Sequence, residues 1–160
     1  MGRLKEGLNS GVHELANEGT QVTDTAQQEL RDAQESASKL DSLNCIDDDD
    51  QSASDGARSE SQAIARETAE NEVRNPTREI KSGFDSIKAE SDTYATIEEQ
   101  DAETASGMEG RYNSVGSSLA SSFRNSMQEF IQISSEAQDT GNQLESVNGA
   151  LASGIESSFG

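Results

Sequence analysis

Apolar side chains recur along this chain at helical spacing, in three stretches separated by polar breaks. The first stretch reads Leu4, Leu8, Val12, Leu15, Val22, Ala26, Leu30, Ala33, Ala37, Leu40, Leu43. Steps of three, four and seven keep these on one side of an α-helix, with Glu, Asp, Gln, Ser and Thr on the others. Gly7, Gly11 and Gly19 interrupt the stripe. A glycine weakens a helix by about 1 kcal/mol relative to alanine. It also lets a second helix approach closely, so Gly7 and Gly11 are expected either to mark a tight crossing or to fray the N-terminal end. Asp47 to Asp50, followed by Gln51 to Gly56, form the first break, because adjacent like charges repel and Ser, Asp and Gly favour turns.

From Ala57 to Arg74 the pattern is sparse in large apolar residues, offering Ile64, Ala65, Ala69 and Val73. Asn75-Pro76 follows; proline either kinks a helix or starts one, with Asn75 as N-cap. Beyond it come Ile80, Phe84, Ile87, Tyr94, Ile97, Ala105 and Met108. Positions 73, 80, 87 and 94 are seven apart, a heptad-like seam. After a second break at Gly107 to Gly110, the last stripe runs from Tyr112 through Val115, Leu119, Phe123, Met127, Phe130 and Ile133. It continues through Ala137, Leu144, Val147, Leu151 and Ile155 to Phe159, flanked by Ser and Gly. The expected fold is all-α: long antiparallel helices forming an elongated three-helix, or kinked four-helix, bundle. Residues 1–107 form a helical hairpin with an acidic turn near 47–56 and a kink at Pro76. Residues 108–160 form a third long helix packing on or extending it.

Composition changes this picture in two ways. Leu, Ile, Val and Phe number 26 of 160 residues, which is thin for a self-sufficient core and overlaps the range of disordered chains. Thirty-one acids against 12 bases give a formal net charge of -19. Nucleic acid and anionic membrane surfaces are therefore poor partners, whereas a basic protein or a salt-rich setting suits the chain. Four lysines against eight arginines fit the salt-rich setting, and abundant Asn and Gln do not.

Candidate chemistry is scarce. His13 is the one histidine and Cys45 the one cysteine, too few for a zinc site, and no G-x-S-x-G surrounds a serine. The run from Asp47 departs from a calcium-binding EF-hand loop, with Ser52 at the glycine position and Arg58 at the final acid. No phosphate-binding glycine loop occurs, and no run approaches the ~18 apolar residues of a membrane span. Met1 to Glu6 lacks the apolar start of a secretory signal. The expectation is a non-enzyme without cofactor, metal or small-molecule substrate. It acts by packing its helices against another helical protein or further copies of itself, through Ile80, Phe84, Ile87, Leu119, Phe123 and Phe130.

One motif adds to this reading. Tyr94-Ala95-Thr96-Ile97-Glu98-Glu99 fits Y-x-x-x-[DE], late in a helical segment. It resembles the export signal of the WXG-type small helical proteins secreted by type VII systems, over roughly residues 1–108. The W-x-G turn of that family is missing, since the chain has no tryptophan. The resemblance implies a helical hairpin, pairing with another helical protein, and Tyr94 with Glu98 as a docking motif. It also implies secretion without a Sec signal peptide, from a cytoplasmic pool. The other expectation is a coiled-coil structural or adaptor component that is not exported, including one from a high-salt organism.

Overall fold

A computed structural model describes residues 2–43, 48–108 and 114–160. Among them the chain is all-α, a bundle of long helices without a strand. Helix α1 spans Gly2–Ser42, α2 Asp48–Thr68, α3 Asn75–Gly107 and α4 Ser114–Ser157. A six-residue π-helical stretch, Ala69–Arg74, joins α2 to α3.

Of the acidic turn expected near 47–56, residues 48–56 are helical instead, and Asp48 to Asp50 are the first positions of α2. Asp47, Cys45, Gly110 and Tyr112 lie outside the described residues.

Asn75 is not an N-cap. It has right-handed helical angles, φ -63° and ψ -49°, and its N–H donates to the Glu70 carbonyl five residues back. Proline in a helix removes one N–H donor and crowds the carbonyl of the preceding turn. Widening the preceding turn to π geometry accommodates that crowding without ending the helix. Thr77 Oγ1 then donates to the Val73 carbonyl at 2.6 Å in a buried setting.

Contacts divide the chain into two compact units, Met1–Ala16 with Ser82–Gly141, and Asn17–Lys81 with Asn142–Gly160. Helices α1, α3 and α4 each contribute to both units, whereas α2 lies within the second. In the first unit α1 runs antiparallel to α3. Ile87 reaches within 2.9 Å of where a Cβ on Gly11 would stand, and Leu15 within 2.9 Å of one on Gly83. In the second unit α1 runs parallel to α4, Leu144 meeting Gly19 and Leu30 meeting Gly154. Gly11 thus receives a neighbouring side chain, whereas Gly7 has nothing within 4 Å.

The core these contacts enclose is narrow. Of the twenty buried apolar residues among those described, eleven are alanine. Small side chains bring helices close but remove little apolar area each. Phe84 and Phe130 anchor the first unit, and Val73 and Ile155 the second, all at 1% exposure or less.

Candidate protein-interaction surface

In the first unit, residues from three helices meet at Phe130 of α4. Tyr94 of α3 stacks on its ring, centroids 5.5 Å apart and planes 26° apart. The Lys5 ammonium of α1 lies 5.1 Å from the same ring centroid and pairs with Glu129 at 2.6 Å. A cation over an aromatic face is attracted by the ring quadrupole. Nearby, Ser134 donates to Asp92, which also pairs with Lys88. Hydrogen bonds from Lys88 and Ser134 hold the Asp92 carboxyl below its ordinary range.

Tyr94 and Glu98 do share one side of α3, a turn apart, but that side turns inward. Tyr94 is half-buried and Glu98 is 2% exposed. The side chains expected to dock a partner are therefore covered within their own unit.

The expected packing stripe largely forms the protein's own interior. Ile80, Phe84 and Phe130 are buried, and Ile87 and Phe123 half-buried. Leu119 alone of the six stands out, at 40% exposure. Other large apolar side chains join it at the surface: Leu43, Ile64, Ile97, Val115, Ile131 and Val147, at 40–59%. His13 is exposed, in a polar groove with Lys5, Glu129 and Glu136.

The second unit holds an apolar-floored groove of about 250 Å³, with Ala33, Ala65, Ile155 and Phe159 among its lining. Glu29, Asp32 and Ile64 also line it. Burial, then the neighbouring Glu72 carboxyl and Asp32, pushes the Glu29 carboxyl above its ordinary value. Sequence reasoning passed over this groove, although a signal was present. Ile64 stands one residue off the Ala65–Ala69–Val73 line, with Glu60, Ser61, Glu67 and Thr68 at helical-neighbour spacing.

Deeper in this unit, a polar layer crosses three helices. Asn148 of α4 is 1% exposed; its Nδ2 donates to Thr77 Oγ1 of α3 at 3.0 Å. Its Oδ1 lies 2.7 Å from Thr23 Oγ1 of α1.

Fold and surfaces together define a helical bundle protein with exposed apolar side chains, and no helix among the described residues is long and apolar enough to cross a membrane. Nothing among protein-family models, curated proteins or solved structures matches the chain. Among the described residues no three metal-ligating side chains cluster.

Proposed function

We propose that this chain is a non-enzymatic helical protein that works by packing against another helical protein. One observation carries the reading. In a chain with only 26 Leu, Ile, Val and Phe residues, seven of those described stand substantially outside the core. A chain so poor in apolar residues gains little by leaving a quarter of them in water unless a partner covers them. The test is purification of the native complex and its molar mass by light scattering. The expected result is a stoichiometric complex, lost when Ile64, Val115, Leu119 and Ile131 are changed together to serine. The unfolding temperature should hardly move, since exposed substitutions change stability by about 0.5 kcal/mol or less. A lone monomer, or a complex indifferent to those changes, overturns the reading.

Within that role, the resemblance to type VII substrates proposes an exported protein or the helical partner of a larger effector. This part stands on Tyr94 and Glu98, adjacent on α3 yet covered. Their burial favours the alternative, a structural or adaptor component that is not exported. Export of Tyr94→Phe and Tyr94→Ala decides. Loss of export in Tyr94→Ala with an unchanged melt supports the motif, and the phenylalanine variant separates packing from recognition. Retained export in Tyr94→Ala removes the motif and leaves the adaptor.

A further inference from the structure

We propose that the groove beside Ile64 in the second unit seats a basic amphipathic helix of a partner protein, one apolar side chain entering the groove while Lys or Arg faces Glu29 and Asp32. This rests on the packing role above and names where in that unit the partner sits and what chemistry it carries.

Size limits the occupant first. The groove holds about 250 Å³, below the roughly 300–1,000 Å³ typical of small-molecule sites. It suits one inserted side chain better than a cofactor. Its floor is ready for an apolar group, since Ala33, Ala65, Ile155 and Phe159 are buried around it. Ile64 stands at its lip, 57% exposed. A large branched side chain held in water beside an apolar recess is the pattern of an uncovered contact.

Charge then selects the partner. Glu29 and Asp32 lie one turn apart on α1, and no Lys or Arg lines the groove. Most cations of this unit are engaged elsewhere: Lys39 with Glu35, Arg58 with Asp41, Arg74 with Glu156, and Arg78 with Glu70. Glu29 is meanwhile crowded by the Glu72 and Asp32 carboxylates. An incoming cation relieves that crowding, and an acidic group deepens it. A second copy of this chain, itself at -19, brings mainly acids to the rim. A basic helix supplies both the apolar insert and the complementary rim, the helix-in-groove mode of recognition.

The test uses the full chain and two synthetic amphipathic helical peptides, one of Leu and Lys, the other of Leu and Glu. Titration calorimetry at low and physiological salt should show saturable one-to-one binding of the Lys peptide and none of the Glu peptide. Ile64→Ser, and separately Glu29→Gln with Asp32→Asn, should each weaken binding by roughly 3- to 10-fold. Leu119→Ser, in the first unit, should leave it unchanged. The proposal is overturned if the wild-type chain does not bind, or if Ile64→Ser binds as tightly as wild type, which marks general attraction to an acidic protein. If Leu119→Ser weakens binding and Ile64→Ser does not, the packing role stands and this groove does not. Persistence of the native complex in the combined serine variant described above would remove the packing role itself.

Discussion

Ser91 is wholly buried, and its hydroxyl has no hydrogen-bond partner among the described residues. Its place explains the burial. Thr77, Phe84, Ser91, Glu98 and Ala105 are seven apart on α3, and all five are at 5% exposure or less. This seam lies beside the more apolar series Val73, Ile80, Ile87 and Tyr94, of which the last two are only half-buried. The polar line thus goes deeper than the apolar one along part of the helix. Thr77 resolves its burial through the Val73 carbonyl. A buried hydroxyl without a partner costs about 1–3 kcal/mol in lost hydration. Ser91→Ala removes that penalty at nearly constant volume. It should raise stability by about 1 kcal/mol in denaturant unfolding; a loss would mean the hydroxyl is satisfied within the fold.

Among whole elements, glycine and asparagine decide how helices meet. A Cβ on Gly19 would stand 2.9 Å from the Leu144 side chain, whereas one on Gly7 meets nothing. Gly7→Ala should therefore gain about the full 1 kcal/mol of helix propensity. Gly19→Ala should gain less or lose, because Leu144 must move. Equal gains in thermal melts would show that α1 and α4 are not packed closely there. The Asn148 layer sets register in a second way. Asn148 bridges Thr23 and Thr77, while Thr23 Oγ1 also lies 3.0 Å from the Gly19 carbonyl and Thr77 keeps the Val73 carbonyl. Asn148→Leu leaves both hydroxyls with backbone acceptors. A single buried asparagine can fix register at some expense of stability. The variant is expected to melt at an equal or higher temperature with broadened amide resonances or mixed oligomers; a single sharp state would remove the register role.

Charge governs the molecule as a whole. At -19 the acids repel one another, and only a narrow core opposes them. Salt screens this repulsion, the Debye length falling to about 3 Å at 1 M. The unfolding temperature should rise with sodium chloride; no rise would show that the repulsion is already offset. Acid acts in two directions. Glu29 has a raised folded value, so its contribution is full below the ordinary 4.5 and is lost as pH rises through that raised value. Asp92 and Glu156 are held low, the latter by the Arg74 hydrogen bond. Their contribution is present above the ordinary 3.8 and 4.5 and is lost as pH falls through the depressed values. Stability should therefore rise on acidification from neutral pH and then fall below the carboxylate range. Glu29→Gln should flatten the upper limb, and a melt indifferent to that change would discount the Glu29–Glu72 contact.

The sequence alone determined the long helices, because three-four spacing is a property of local backbone geometry and needs no partner. It also carried the charge and the scarcity of large apolar residues. Only the tertiary structure decided which positions lie inside. Thr77, Ser91 and Glu98 go in although hydropathy would put them out. Leu119, Ile64 and Val115 stay out although hydropathy would put them in. Burial depends on where neighbouring helices cross, and those crossings are set by contacts such as Gly11 with Ile87 and Asn148 with Thr77, far apart along the chain. The groove beside Ile64 was illegible for the same reason. Its floor joins Ala33, Ala65, Ile155 and Phe159, residues that periodicity alone places on separate helices with no stated neighbour.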